Sequence, residues 1–416
     1  MQRAIGLLPS VDRNGRIVLT ARALRSFAFG LNSVALGLYL STVGLDSGQI
    51  GLVLSAALAG TLLLTLVIAG WGDRIGRRRL LIAGSALMVT ASLIPLAGAQ
   101  PLLLAALALS GMVAVNANES AGLQSVDQAL LPQTVAADQR TAAFAAYNLL
   151  ASAAAALGAL TVGILPGLGV ALGLSGADIY TPAFLAYAVA GICCLALHTR
   201  LDRRAETDVR PTRRLAIDRS RSTVARLSLL FSLDSLASSF TVHSFLAYFL
   251  AVRFGGTPAE LGAIFFAGSV LTAASFPVAA WLSRRIGLIN TMVFTHIPSS
   301  LFLVGVALAP SLAVAAAFQI ARSALSSMDV PVRQSYVIAV VEPSERTATA
   351  GFTSLARAVA QVPGPTIAGA LLVPFGLGVP LLATAALKIV YDLGLFGLFR
   401  ARPAPEERPL AAEERI

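Results

Sequence analysis

The sequence predicts an all-α membrane protein of twelve transmembrane helices, arranged as two pseudo-symmetric six-helix bundles. The first observation is composition: 56% of the 416 residues are hydrophobic and only 12% are charged, whereas soluble domains are about 25% charged. The second is a series of apolar segments long enough to cross a bilayer. The third is an internal repeat, which indicates two related halves.

Twelve segments approach the roughly 20 apolar residues that a spanning helix needs. We number them spans one to twelve. They cover 20–43, 48–70, 79–99, 102–127, 141–165, 182–198, 224–252, 259–282, 288–309, 311–332, 347–373 and 379–399.

The repeat consists of two pairs of similar stretches. VDQALLPQTVAADQRTA (126–142) and VRQSYVIAVVEPSERTA (332–348) share six identities at an offset of 206, and Arg-Ile-Gly recurs at 74–76 and 285–287. An offset of half the chain predicts duplicated halves. The expected domains are an N-terminal bundle (1–198), a basic cytoplasmic linker (199–222), a C-terminal bundle (223–400) and a cytoplasmic tail (401–416). The linker is either simply solvated or binds anionic lipid headgroups.

The distribution of arginine predicts the topology. The net charge is +10, but the arginines lie in short loops on one side of the spans, which is typical of a cytoplasmic membrane face. Both termini are therefore expected in the cytoplasm, and no nucleic acid partner is expected. Lys388 is the only lysine against thirty arginines, a usage typical of GC-rich bacterial genes, which predicts a bacterial cytoplasmic (inner) membrane.

The rare reactive residues predict neither an enzyme nor a cofactor or metal site. Cys193 and Cys194 are adjacent within an apolar run, where they favour buried side chains without a disulfide or metal role. His243 and His296 are isolated in the sequence, which favours a structural role over metal binding. No nucleophile–base pair or phosphate-binding glycine loop is apparent.

The loop after span two reads GDRIGRRR and resembles the cytoplasmic loop signature of the major facilitator superfamily. Matching positions are Asp73, Arg74, Gly76, Arg77 and Arg78, with Ala69 and Trp71 as departures. The resemblance covers about residues 20–400 and implies a drug/metabolite-efflux-like carrier that works by alternating access. It also implies that Asp73, Arg77 and Arg78 latch the two halves on the cytoplasmic side. The alternative is that these arginines only set the topology.

Ionisable and polar residues within spans are functional candidates because they are costly in a bilayer. At 1.5 Å per residue, Asp234, Arg322 and Arg357 fall near the midplane. The candidates for a substrate and ion pathway are Asn32, Asn116, Glu119, Asp234, Arg322, Arg357 and Gln361. The resemblance implies that helices one, four, seven and ten line a central cavity, and most of these residues lie on those helices.

Lys388 and Asp392 lie four residues apart on span twelve, which the family places at the periphery. We interpret them as a structural pair, or as an anchor of the helix on its lipid-facing side.

A charged stripe is predicted on span ten. Arg322, Ser326, Asp329 and Arg333 are spaced 4, 3 and 4 and share one helix face. Asp329 and Arg333, together with Asp127 on span four, are candidates for a cytoplasmic gate. The 206 offset aligns Asp127 with Arg333, so we expect these two groups to pair when the carrier closes on that side.

Glu119 is the candidate proton carrier that the sequence indicates. A carboxylate in a low-dielectric site can load and release a proton near neutral pH. The alternative is a structural carboxylate that is paired with Arg322.

The predicted function is proton-coupled efflux (antiport) of a small organic solute by a monomer in the lipid bilayer. Arg322 and Arg357 favour an anionic or zwitterionic substrate. One alternative is uptake or uniport of an organic anion, and another, of a different class, is a transporter-like membrane sensor or scaffold.

Overall fold

A computed structural model describes residues 11–117, 122–136, 139–202, 219–342 and 345–401, and over these ranges the chain is helical without strands. The helices are α1 (Arg13–Thr42), α2 (Ser47–Ile75), α3 (Arg77–Ala91), α4 (Pro101–Ala108), α5 (Leu123–Leu130), α6 (Arg140–Thr161), α7 (Leu165–Ala171), α8 (Thr181–Thr199), α9 (Arg221–Ser239), α10 (His243–Phe254), α11 (Pro258–Ile286), α12 (Leu288–Leu308), α13 (Leu312–Leu325), α14 (Asp329–Ala339), α15 (Arg346–Gln361), α16 (Gly364–Phe375) and α17 (Val379–Phe399).

Eight helical segments among the described residues are long and apolar enough to cross a membrane. Predicted spans three, four, ten and eleven are absent from that set because their helices are short. Among the described residues, the chain is outside a helix at 109–117 and 122 in span four, at 326–328 in span ten and at 362–363 in span eleven. The all-α class is confirmed over the described residues, and the count of twelve spans stays a prediction.

The chain divides into two compact units. The first unit comprises Met1–Pro211 and Val242–Val270, and the second comprises Thr212–Thr241 and Leu271–Ile416. Helix α10 thus belongs to the first unit, although it follows α9 of the second. The prediction of two six-helix bundles divided at 199–222 stays a prediction.

The first unit is built around α1, which packs against α6, α8 and α10. The side chain of Asp12 accepts a hydrogen bond from the backbone N–H of Gly15 at 2.7 Å and so fixes the helix start. A Cβ on Gly30 would collide with the backbone of Ala155, and one on Gly158 would collide with that of Phe27. Small residues therefore allow α1 and α6 to approach closely, as they do between membrane helices in general.

The second unit has an aromatic and aliphatic core between α9, α12, α14 and α17, which includes Phe231, Met292, Tyr336 and Tyr391. The start of α9 is held by Glu345, whose carboxylate accepts the backbone N–H groups of Arg219 and Ser220 at 2.8 and 2.9 Å.

The repeated Arg-Ile-Gly turn has one conformation in both halves. Gly76 has φ 95° and ψ 140°, and Gly287 has φ 88° and ψ 164°. Only glycine adopts this backbone without strain, so the repeated glycine is explained by the turn it makes between two helices.

Candidate functional site

Asp234 is the centre of a buried charged cluster in the second unit. It lies on α9, and its Oδ1 accepts a hydrogen bond from Lys388 Nζ of α17 at 2.7 Å. Its Oδ2 lies 3.6 Å from Arg333 Nη1 of α14 and 3.9 Å from Arg357 Nη2 of α15. One carboxylate therefore draws together cations from three helices, at a depth where unpaired charge is costly.

His296 connects this centre to a second carboxylate. Its Nε2 lies 3.1 Å from Lys388 Nζ, and its Nδ1 lies 3.0 and 3.1 Å from the two carboxylate oxygens of Asp392. A lysine ammonium can only donate hydrogen bonds. Nε2 is therefore the acceptor, and Nδ1 carries the hydrogen that is donated to Asp392. This assignment makes the imidazole neutral in the arrangement observed.

Three further hydrogen bonds belong to the cluster. Arg333 Nη1 donates to Asp329 Oδ2 at 2.5 Å within α14. Arg357 Nε donates to Ser235 Oγ at 3.0 Å, and Gln361 Nε2 donates to the same oxygen at 3.4 Å.

The charges of the cluster balance when the imidazole of His296 is neutral. Three carboxylates then face three cations, namely Asp234, Asp329 and Asp392 against Lys388, Arg333 and Arg357. A proton that enters the cluster therefore creates an uncompensated charge, which favours rearrangement of the ion pairs.

The first unit contains a smaller cluster with the signs exchanged. Asp127 of α5 accepts hydrogen bonds from Arg25 of α1 and, at 3.0 Å, from the hydroxyl of Tyr147. The guanidinium of Arg22 lies 4.9 Å from the centre of the Tyr147 ring. Here the acid is on predicted span four and the base on span one. In the second unit, the base Arg333 is on span ten and the acid Asp234 is on span seven.

The non-helical stretch 109–117 is held by side chains on three segments of the first unit. Asn116 Oδ1 accepts the backbone N–H of His243 at 3.0 Å, and His243 Nδ1 accepts that of Ala117 at 3.3 Å. Asn32 Nδ2 donates to the carbonyl of Ala114 at 3.0 Å. Asn32 and Asn116 thus satisfy backbone and side-chain groups at a helix break, as buried polar groups require.

Two of the predicted site residues lie wholly or partly outside the part of the chain that the structure describes. Glu119 lies outside the described residues, as does the side chain of Asp73, whose backbone is in α2. The neighbouring arginines contact helix ends: Arg77 Nη1 donates to the carbonyl of Ala129 at 3.3 Å and Arg78 Nη2 to that of Thr199 at 2.6 Å. Such contacts suit carbonyls at the C-terminal ends of helices.

The predicted stripe on span ten is wrong as a continuous face. The helix ends before 326–328, so Arg322 on α13 is separated from Asp329 and Arg333 on α14. Arg322 is half-buried, and its hydrogen-bond partner is Gln319 Oε1 at 3.5 Å. The break falls at Ser326 and Ser327, upstream of Pro331.

The interpretation of Lys388 and Asp392 as a mutual pair or lipid-side anchor is also wrong. Both are buried, and each contacts a different helix, Lys388 reaching Asp234 and Asp392 reaching His296. Sequence reasoning set His296 aside as structural. His296, Lys388 and Asp392 lie at a similar depth in spans nine and twelve. That shared depth is the sequence signal that could have identified them as one group. Among the described residues, no group of three or more His, Cys, Asp and Glu is arranged to hold a metal ion.

Comparison with known proteins places these sites in context. The model of the Major Facilitator Superfamily matches residues 18–233 and 227–416. An uncharacterized membrane protein of Saccharomyces cerevisiae is 25% identical over 422 residues, which cover 93% of this chain and 94% of that protein.

Solved structures are similar in fold alone. An autoinhibited POT family peptide transporter has a TM-score of 0.72 at 14% identity, covering 96% of this chain and 99% of its own. A bacterial homologue of the iron transporter ferroportin, in an inward-facing state, has a TM-score of 0.70 at 19% identity, covering 92% and 98%. A nucleoside transporter has a TM-score of 0.71 at 12% identity, covering 93% and 99%.

Proposed function

This chain belongs to the Major Facilitator Superfamily and is a multi-pass membrane transporter of small solutes, and from that premise we propose that it exports a small organic solute in exchange for protons. A chain built from two related halves supports alternating access about a site near the bilayer midplane. The bacterial inner membrane, the cytoplasmic termini and the monomeric state are parts of the same proposal, although one relative is a yeast protein.

The observation that carries the proposal is the cluster around Asp234. Ionisable groups inside a bilayer are costly and mark ion pathways and proton relays. The cluster contains a histidine, the side chain that ordinarily changes charge between pH 5 and 8. Hydrogen bonds connect that histidine to a carboxylate on one side and to a lysine on the other.

Protonation of His296 would change the pairing within the cluster. The groups that face its ring are Lys388, Tyr391 and Asp392 on α17, Asp234 on α9, and, beyond Asp234, Arg333 on α14 and Arg357 on α15. An imidazolium has no acceptor for Lys388, and its Nε2–H can turn to Asp234 Oδ1, which lies 3.8 Å away. Lys388 would then lose its hydrogen bond to His296 and would share Asp234 with the imidazolium. Proton binding is thus coupled to contacts between α9, α12 and α17.

Glu119 remains the candidate carrier in the N-terminal half, and the His296–Asp392 pair is a second candidate in the C-terminal half. The test compares Glu119→Gln and Asp392→Asn in proteoliposomes. The variant that removes the carrier should lose solute movement driven by a pH gradient while keeping solute exchange at equal pH. If both variants keep pH-driven transport, both carriers are excluded.

The cytoplasmic gate is proposed to consist of Asp73, Arg77, Arg78, Asp127, Asp329 and Arg333. In support, Arg77 and Arg78 donate hydrogen bonds to carbonyls at the C-terminal ends of α5 and α8. Asp127 and Arg333 each have an oppositely charged partner within their own unit. Pairing of Asp127 with Arg333 during closure would therefore replace the ion pair that each now forms within its own unit. A double charge reversal of Asp127 and Arg333 should recover part of the activity that either single reversal abolishes.

Uptake or uniport of an organic anion is the second candidate. It is favoured by Arg322, which is half-buried on α13 and has no carboxylate partner among the described residues. A guanidinium at this depth suits a carboxylate or phosphate ligand. Arg322→Gln should weaken binding of anionic solutes more than that of neutral ones, and equal affinities would exclude this role. The sensor or scaffold alternative predicts no solute flux by the reconstituted protein.

A further inference from the structure

A basic pocket lies at the ends of four helices of the second unit, on the face that the arginine distribution predicts to be cytoplasmic. It encloses about 700 Å³. Its polar lining includes Arg284, Arg285, Asn290, Ser335 and Arg400. The proposed transport mechanism makes no use of it.

The pocket is strongly cationic. Three arginines line it and no carboxylate does. Arg284, Arg285 and Arg400 are exposed, and none forms an ion pair with a described residue. Arg285 and Arg400 lie against aromatic rings, those of Trp281 and Phe396, at 5.1 and 5.4 Å. Such stacking holds a guanidinium in place while its N–H groups stay available to an anion.

The repeat explains why an opening exists in this half. At the offset of 211, Leu288 and Ile289 replace Arg77 and Arg78. In the first unit those arginines reach across to backbone carbonyls at Ala129 and Thr199. Leucine and isoleucine cannot make these bonds. In the second copy, Arg284 and Arg285 precede the turn at Gly287 instead. They line the space that Leu288 and Ile289 leave open.

The surface next to the pocket is apolar and exposed. Trp281 on α11 is 49% exposed, and Phe294, one turn beyond Asn290 on α12, is 58% exposed. Tryptophan is enriched where a membrane protein meets the headgroup region. A polar pocket that continues into an exposed apolar surface fits an amphiphile with an anionic head.

We propose that this pocket binds a phosphate-bearing anion, supplied as the headgroup of an anionic phospholipid. Three guanidiniums offer bidentate hydrogen bonds to phosphate oxygens, and Ser335 and Asn290 offer further polar groups. Basic pockets between helices on the cytoplasmic side bind lipid headgroups by this chemistry.

The test measures how lipids change the melting temperature of the detergent-purified full chain. Dioctanoyl phosphatidylglycerol should raise it in a saturable manner, whereas dioctanoyl phosphatidylcholine should not. At about one factor of five per arginine, the triple variant Arg284→Gln, Arg285→Gln, Arg400→Gln should bind phosphatidylglycerol about a hundredfold more weakly. Because the three side chains are exposed, the lipid-free melting temperature should stay close to that of the wild type.

Arg253→Gln is the matched control, because Arg253 is also an exposed arginine that lies against an aromatic ring, that of Phe254 at 5.5 Å. Arg253 does not line the pocket. The control variant should leave phosphatidylglycerol binding unchanged. Unchanged lipid affinity in the triple variant would overturn the proposal. An equal response to glycerol 3-phosphate would overturn the assignment to a lipid and identify a soluble phosphate ester as the occupant. Counting bound lipids by native mass spectrometry provides a readout that is independent of stability.

Discussion

Removing either partner of the Asp234–Lys388 pair should destabilise the second unit by unequal amounts. The side chains are 4% and 8% exposed, and the two charged atoms are 2.7 Å apart. Removing one partner of a buried ion pair costs about 3–5 kcal/mol, because the other charge stays buried. Lys388→Met leaves Asp234 with Arg333 and Arg357 at 3.6 and 3.9 Å, so we expect about 3 kcal/mol.

Asp234→Asn should cost more, about 5 kcal/mol, because it leaves several cations around a neutral amide. The double variant should cost less than the sum of the single ones, by about 1–3 kcal/mol, since the two side chains are in direct contact. The free energy of unfolding is measured by titrating the purified protein with SDS in mixed micelles.

The exposed pair Arg13–Asp202, 3.3 Å apart, supplies the control. Arg13→Gln should cost less than about 1 kcal/mol. Additive effects of Asp234→Asn and Lys388→Met, or a larger loss for Lys388→Met than for Asp234→Asn, would refute the view of Asp234 as the centre of the cluster.

Three further predictions concern the first unit. Tyr147→Phe removes a hydrogen bond to the Asp127 carboxylate and should cost about 1.5–3 kcal/mol in the same unfolding titration; no loss would mean that the hydroxyl is not bonded there. Asn116→Ala leaves the N–H of His243 without its side-chain acceptor and should speed proteolysis near 109–117, while unchanged cleavage would contradict the role of this asparagine in closing the break. Gly158→Leu inserts a side chain against the backbone of α1 and should lower the melting temperature by far more than Gly167→Leu, where a Cβ meets no atom within 4 Å; similar losses would show that α1 and α6 are not in close contact.

Much of the fold follows from patterns that the bilayer imposes on any sequence. Long apolar segments, arginine-rich loops and the repeated turn at Gly76 and Gly287 are local features, and they predicted an all-α transporter with related halves. The breaks are harder to predict. The stretch 109–117 stays largely apolar while it is outside a helix, because Asn32 and His243, from distant parts of the chain, bond to backbone groups of Ala114 and Ala117. Its own Asn116 accepts the backbone N–H of His243 in return.

The candidate site was predicted in part. The depth of each charge along its span is readable from the sequence, and it identified Asp234 and Arg357. Arg333 was identified as a gate candidate by its alignment with Asp127 in the repeat. The partners are not readable, because they depend on how neighbouring helices are rotated against each other. Lys388 and Asp392 lie on one face of one helix at a spacing that suits a mutual pair, yet packing directs one to Asp234 and the other to His296.

The exchange of solute for protons is the central claim, and the pH inside sealed proteoliposomes tests it most directly. A ligand found by a thermal-shift screen at two pH values is loaded inside vesicles that contain a trapped pH-sensitive dye. Outward movement of the solute down its gradient should acidify the interior in the wild type and leave it unchanged with whichever of Glu119→Gln and Asp392→Asn removes the proton carrier. Solute efflux from wild-type vesicles at constant internal pH would contradict the claim.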